Sequence, residues 1–516
     1  MSASLLKSSG VVAVMTLLSR VLGFVRDVMF ANVFGAGAAM DAFLIALKIP
    51  NFGRRMFAEG AFSQAFVPVF TETRTNGTHE QARELVGVVM GTLSAVLAVI
   101  TLVGCIAAPL LIWVFAPGFG ADPAKHALGA ELLRWTFPYL MFISLTALAS
   151  GVLNSYGEFA VPAFTPVILN LCLIASAFIQ EDSVQVLAYA VFVAGVLQFA
   201  FQLPSLLRRR LLPWPRWGWR DSRVRRIISL MVPVLIGSSV AQISLLLDSA
   251  LASFLGDGSV SWLYYADRLM EFPLGIFSIA VGTVILPALS AQHSTQDTGA
   301  FSQTLDWALR VILLVGVPAA LGLLLFAGPL VATLFGHGEF GDHDTRMTMY
   351  ALWAYAAGFM GFSLVKVLVP GFYARQETRV PVRYGITALC CGMAMSLTVF
   401  TLAKIYDWSA AHAGLAAATS TSAWINALLL LRRLRRDGAY VPQPGWALFA
   451  LRLLLANAAM AALLLACAGN VEAWLSDGAA DRALRVGLTV AAAAVAYFAS
   501  LLLLGLRPRH FRRGEV

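Results

Sequence analysis

Residues 486–504 read VGLTVAAAAVAYFASLLLL, nineteen consecutive positions without a charge. A strand with one face in a core alternates apolar and polar residues, and this run does not. As a helix rising about 1.5 Å per residue it covers roughly 28 Å, close to the hydrocarbon thickness of a bilayer. Runs of the same kind recur from one end of the chain to the other, at about 11–34, 41–71, 86–115, 128–155, 160–179, 184–207, 227–255, 261–290, 302–335, 347–373, 381–403, 412–431, 446–468 and 482–506. Of the 516 residues 59% are hydrophobic and 13% charged, about half the charged share of a soluble protein. Backbone in hydrocarbon must satisfy its own polar groups, and without barrel-type alternation helices are the remaining solution. The expected fold class is an all-α integral membrane protein with about fourteen transmembrane helices.

Lys7 ahead of the run 11–18 imitates a secretion signal, but the run is short and leads into Arg20 and Arg26 without a small-residue cleavage site. It is expected to be a retained first helix. Cys105, Cys172, Cys390, Cys391 and Cys467 all fall in apolar segments, with no disulfide framework or zinc spacing, and read as small apolar filler.

The loops sort by charge. Odd-numbered gaps hold few bases: Asp257 lies between helices seven and eight, Glu339, Asp342 and Asp344 between nine and ten, Glu472 and Asp477 between thirteen and fourteen. Even-numbered gaps are basic, with Arg208, Arg209, Arg210, Arg216, Arg220, Arg223, Arg225 and Arg226 after helix six, Arg375 and Arg379 after ten, and Arg432, Arg433, Arg435 and Arg436 after twelve. The positive-inside rule places these loops, both termini and the tail Arg507, Arg509, Arg512 and Arg513 in the cytoplasm, which accounts for the net charge of +9. The arginines sit near helix ends and are read as lacking interleaved aromatics, so no nucleic-acid partner is expected.

Against itself the chain matches weakly at a shift of 219. Residues 61–68 fall on 280–287, with Pro68 on Pro287, and Val161-Pro162 falls on Val380-Pro381. Two six-helix lobes related by a pseudo-two-fold axis, 1–218 and 219–436, are therefore expected, followed by 437–516 with helices thirteen and fourteen and the basic tail. Parallel repeats are one design of secondary transporters, which place substrate at the repeat interface.

An ionisable group at membrane depth costs at least about 2.5–3.5 kcal/mol, so such groups should be few unless they line a cavity. Helices one and two carry Arg20, Arg26, Asp27, Asp41, Lys48, Arg54, Arg55 and Glu59, with Pro50 expected to bend the second helix. On an ideal helix Asp41, Lys48, Arg55 and Glu59 stay within about 40° of one stripe. Helix eight adds Asp267, Arg268 and Glu271, the last two spaced to touch. Arg55 with Glu59 and Asp306 with Arg310 also read as packing pairs. As a set, Arg20, Arg26, Lys48, Arg54, Arg55 and Arg268 present more positive charge than the acids balance if some of these point elsewhere. The functional reading is a water-filled basic cavity for an anion, and the guanidinium fork suits a diphosphate.

No GxxxxGK[ST] loop, HExxH or Ser/His/Asp constellation occurs. His337, Glu339, Asp342 and His343 read as a solvated outer loop rather than a metal site, and the sequon Asn76-Gly77-Thr78 lies on the expected cytoplasmic side.

The stretch Ser19-Arg20-Val21-Leu22-Gly23-Phe24-Val25-Arg26-Asp27 resembles the helix-one signature of the MurJ (MviN) lipid II flippase family. So do Asp41-Ala42-Phe43, Pro50-Asn51, Arg54-Arg55, residues 57–68 (FAEGAFSQAFVP), residues 264–273 (YYADRLMEFP), residues 370–376 and residues 442–446. The resemblance covers essentially the whole chain. It implies the fold of the multidrug/oligosaccharidyl-lipid/polysaccharide exporter superfamily and transport of lipid II, the undecaprenyl-diphosphate-linked cell-wall precursor, across a bacterial inner membrane by alternating access. It implies peptidoglycan biosynthesis and cell shape as the process, with no enzymatic step. Family positions of functional importance correspond to Arg20, Arg26, Asp41, Arg54, Arg55, Glu59 and Arg268, with Ser19, Asp27 and Glu271 as further candidates. The sodium site of some relatives has no clear counterpart, because Asp248 lies in helix seven but helix eleven has no acid. The coupling ion or use of the membrane potential stays open, and no cofactor is expected. The expected partners are lipid II and membrane lipids, with a monomer and association with cell-wall synthesis proteins as further expectations.

In this reading Arg20, Arg26, Arg54, Arg55 and Arg268 hold the diphosphate. Asp41 and Glu59 help to close or reset the cavity by pairing with arginines, Ser19, Asp27 and Glu271 are further gating or conformational candidates, and helices thirteen and fourteen line a groove for the polyprenyl tail. The rival within the fold is an exporter of drugs or of another lipid-linked oligosaccharide. A drug exporter would show acidic walls for cations, and a glycan polymerase would need catalytic acids in outer loops, whereas the acids singled out here cluster in helices one, two and eight.

Overall fold

Each apolar run predicted to cross a membrane falls on one helix or on two consecutive helices. The computed structural model describes the backbone of residues 3–55, 61–179 and 183–506, and their side chains except at 3–9, 236–245 and 276–284. Two compact units divide the chain, 1–261 and 262–516. In the first, α1 is Ala3–Phe34, α2 Ala38–Gly53, α3 Ser63–Asn76, α4 His79–Ile106 and α5 Ala108–Phe115. There follow α6 Pro123–Thr136, α7 Tyr139–Ser155, α8 Ala160–Ala177, α9 Gln185–Arg208 and α10 Ser222–Ala252. From Ser259 onward come α11 Ser259–Ser294, α12 Thr298–Leu325, α13 Ala327–Leu334, α14 Asp342–Tyr373 and α15 Arg379–Tyr406. The chain closes with α16 Ala411–Arg436, α17 Trp446–Ala468, α18 Val471–Ser476 and α19 Ala479–Leu503.

Among the described residues ten spans are long and apolar enough to cross a membrane, with α6 and α7 counted as one. The other four predicted segments fall on α1, on α2 with α3, on α10 and on α11. Outward faces are apolar as lipid requires: Leu454, Leu465, Leu484, Leu488, Val495 and Leu503 are all exposed on α17 and α19.

In the first unit α1 packs on α8, α8 and α7 on α9, α2 on α6, and α10 on α3. Its core joins Phe66, Phe70, Leu85, Val89, Leu148 and Leu206. In the second, α14 packs on both α12 and α16, and α17 with α19 lies against α12 and α13.

Loop chemistry sets the helix starts. Thr78 of the sequon caps α4 in a reciprocal box with Gln81, and Asp122 caps α6 ahead of Pro123. Prolines interrupt the helical hydrogen-bond ladder, because each removes the N–H that would bond the carbonyl four residues back. The structure supplies a replacement donor at three of them. Thr136 Oγ1 donates to Ala46 O (2.8 Å), freed by Pro50, and Cys105 Sγ donates to Arg134 O (3.5 Å), freed by Pro138. Tyr497 Oη of α19 donates to Leu314 O, freed by Pro318. In hydrocarbon no water can take that role, so these bonds also fix which helix lies beside each freed carbonyl. Cys105 is thus more than filler, and Cys390 and Cys391 are exposed on α15 rather than packed.

Candidate functional site

Polar residues of the first unit assemble into two networks. On α1, Arg26 and Asp27 are adjacent, and the guanidinium folds back so that Nε and Nη2 both donate to Asp27 Oδ1 at 2.9 and 2.6 Å. Nη1 reaches α8 and donates to Asn170 Oδ1 at 3.0 Å, while Asn170 Nδ2 donates to Ser19 O (2.9 Å) and Ser19 Oγ (3.4 Å). The Phe30 ring lies 5.5 Å from the Arg26 guanidinium. Ser19, Arg26 and Asp27 are therefore brought together through Asn170, which the sequence reading passed over, whereas Arg20 and Asp27, seven apart and expected to face one space, part company, Asp27 being buried and Arg20 exposed. A lone amide in the apolar run 160–177 was the available signal.

The second network centres on Asp41 in the first turn of α2. Its Oδ1 accepts from Ser261 N (2.9 Å) and Ser261 Oγ (2.7 Å), and its Oδ2 from Gly258 N (2.9 Å) and Lys125 Nζ (3.0 Å). Lys125, in the first turn of α6, also donates to Asp257 Oδ1 at 2.8 Å and sits 4.5 Å from the Phe119 ring centre. Asp41 is 1% and Lys125 6% exposed, so the pair is buried, and four donors satisfy the carboxylate. Asp41 was expected to pair with arginines; its partner is a lysine. Lys125 and Asp257 gave no signal, because a lysine in a first turn and an aspartate in a loop read as solvated.

The stripe predicted along helix two holds only as far as Lys48, whose Nζ donates to Ser249 Oγ of α10. Past Pro50 the α-helix ends at Gly53 and residues 54–55 wind in a wider π turn, which shifts the rotational register. Arg54 Nε donates to Asn51 Oδ1 at 3.1 Å, and Arg55 is exposed. Glu59 lies outside the described residues. Arg20, one step round α1 from Ser19, is exposed as well. Neither Arg20 nor Arg55 has an acidic partner among the described residues.

In the second unit Arg268 Nη1 meets Glu271 Oε2 at 2.8 Å, with the guanidinium 4.9 Å from the Tyr264 ring centre. The pair expected from spacing forms, and both side chains are open to exchange, 35% and 50% exposed. The packing pair Asp306 with Arg310 also forms, Arg310 Nε lying 2.8 Å from Asp306 Oδ2, and it is extended into a clamp. Asp306 accepts from Tyr440 Oη (3.0 Å), Gln443 N (3.1 Å) and Trp446 Nε1 (2.7 Å), pinning the segment that leads into α17. Among the described residues no three His, Cys, Asp or Glu side chains gather to hold a metal.

The basic segment after helix six does contain interleaved aromatics, since Trp214, Trp217 and Trp219 alternate with Arg216 and Arg220, and all five are exposed.

Comparison with known proteins bears on all of this. A family described as "Lipid II flippase MurJ" matches residues 30–476. A probable lipid II flippase MurJ of Vibrio cholerae is 46% identical, with 98% of this chain and 97% of the relative covered. That of Haemophilus influenzae is 43% identical over 96% and 99%. A lipid II flippase MurJ of Burkholderia cenocepacia is 41% identical over 96% and 97%. Among solved structures, lipid II flippase MurJ in an inward closed conformation aligns with a TM-score of 0.76 at 24% identity, covering 96% of this chain and 97% of that one. An inward-facing multidrug resistance MATE family transporter of the MOP superfamily aligns at 0.68 with 14% identity, covering 83% and 98%.

Proposed function

The chain belongs to the lipid II flippase MurJ family, and from that premise we propose how its residues serve the transport of lipid II from the cytoplasmic to the outer face of the inner membrane. Alternating access is the mechanism, and the cargo is the undecaprenyl-diphosphate-linked precursor of peptidoglycan. The observation that carries the residue assignment is that Arg20 and Arg55 offer exposed guanidinium forks with no acid opposite them among the described residues. A diphosphate presents oxygens that such forks bind two at a time. Arg54 and Arg268, held by Asn51 and Glu271, are partly exposed and can exchange those partners for phosphate oxygens.

Arg26 has a different part in this reading. Its donors are directed at Asp27 and Asn170, so it positions α1 against α8 and keeps Ser19 and Arg20 in place. Asp41 acts as a latch whose carboxylate holds residues 258–261 beside α2 and α6. The C-terminal pair α17 and α19, packed on α12 and α13, gives the polyprenyl tail a surface outside the two proposed six-helix repeats. We place both termini in the cytoplasm, from the basic loops, and take the protein to act as a monomer near cell-wall synthesis proteins. It performs no chemical step of its own and needs no cofactor. The membrane potential supplies about 2.3 kcal/mol for each charge moved through 100 mV.

The test is complementation in cells depleted of their own flippase. Wild-type chain restores growth, whereas Arg20→Ala with Arg55→Ala fails at normal membrane abundance. Growth of the double variant at the wild-type rate would remove these arginines from the binding role.

A further inference from the structure

The segment between α9 and α10 crosses α4 as an extended strap. Leu211 is buried in the first unit's core with Val86, Val88 and Val89 of α4. Further along, Arg216 N donates to Gly87 O (3.0 Å) and Gly218 N donates to Thr92 Oγ1 (3.0 Å). The approach is close enough that a methyl group at Gly91 would overlap the Arg216 backbone, and one at Gly218 would overlap Val88. The strap is thus seated, and its side chains are not free to fold under it.

Past Leu211 the tryptophan side chains are exposed instead. Trp214, Trp217 and Trp219 are 84%, 64% and 46% exposed, the last two stacked at 6.1 Å. A soluble surface rarely keeps three tryptophans in water, whereas tryptophan is enriched where lipid headgroups meet hydrocarbon. Thr92 stands eight residues beyond Glu84, the last charge at the start of α4, or about 12 Å along the helix.

The surrounding arginines divide in two. Arg209 pairs with Glu158, Arg223 with Asp221 and Glu84, and Arg226 with Glu72. Arg208, Arg210, Arg216, Arg220 and Arg225 are exposed and have no acidic partner among the described residues. Basic residues at a membrane surface attract anionic lipid.

We propose that this tryptophan–arginine strap is a binding surface for anionic phospholipid headgroups, with the indoles seated among the lipids and Arg216 and Arg220 holding the phosphates. The proposal is independent of the transported cargo.

The test uses the full chain in nanodiscs of phosphatidylcholine with a minor fraction of phosphatidylglycerol. Composition is held constant while the quenching bromine label sits on one lipid or the other. The strap's signal is the difference between wild type and the variant Trp214→Phe, Trp217→Phe, Trp219→Phe. Labelled phosphatidylglycerol should quench that signal as if enriched about fivefold, the preference one nearby basic residue confers. Arg216→Gln with Arg220→Gln should bring the two labels to parity, and Arg216→Lys with Arg220→Lys should keep the preference, which separates lost charge from lost fold. Equal quenching by both labels in wild type, or a preference unchanged by the glutamines, overturns the proposal. So does quenching by aqueous acrylamide but by neither lipid, which would assign the strap to a cytosolic protein.

Discussion

Replacing Lys125 by methionine keeps an unbranched side chain one atom shorter and removes its charge, leaving Asp41 as a buried carboxylate. Breaking a buried ion pair from one side costs about 3–5 kcal/mol. Asp41 retains the Gly258 amide and both Ser261 donors, so the cost should fall near the lower end, about 3 kcal/mol. For a unit of this size that lowers the thermal midpoint by roughly 6–12 °C, measurable by fluorescence-detected size exclusion after heating. Adding Asp41→Asn removes the stranded charge but turns an amide donor toward the Gly258 N–H, so the double variant should recover part of the loss. Hydrogen exchange at Gly258 and Ser261 reports the same event locally, and about 3 kcal/mol corresponds to roughly a hundredfold faster opening. A midpoint shift under about 2 °C for Lys125→Met, or strictly additive losses in the double, would refute the reasoning.

Thr136→Val strands the Ala46 carbonyl and should cost about 1–3 kcal/mol in a wild-type background but much less beside Pro50→Ala, whose restored N–H takes the bond; thermal midpoints of the four variants check this. Arg268→Ala should abolish complementation at near-normal abundance, as its ion pair is half exposed; immunoblots of membranes that show the protein missing would favour a packing role. In a cysteine-free background Glu339→Cys should react with an impermeant thiol reagent from outside and Ser222→Cys should not; both positions are exposed, and labelling of both from the same side would break the topology.

The fold was legible because membrane spans announce themselves in composition. The run predicted at 446–468 coincides with α17, Trp446–Ala468. The stripe through Asp41 and Lys48 was legible for the same reason, since regular geometry extrapolates. It stopped being so at Pro50, where the missing N–H and the π turn break the register that Arg55 was projected along. Partners across the fold were the least visible. Nothing local marks Lys125 as the group that meets Asp41, 84 residues away, or Thr136 as the donor for Ala46. Asp306 and Arg310, at helical spacing, were visible as a pair, but their task of pinning residues 440–446 depends on Tyr440 and Trp446 folding back onto α12.

Movement of lipid II is measured directly as the amount of lipid II on each membrane face after this protein is depleted from living cells. Lipid II should accumulate on the cytoplasmic face and fall on the outer face, with wild-type chain restoring the balance and Arg20→Ala with Arg55→Ala failing to. An unchanged outer-face pool after depletion, with the cytoplasmic pool steady, would contradict it.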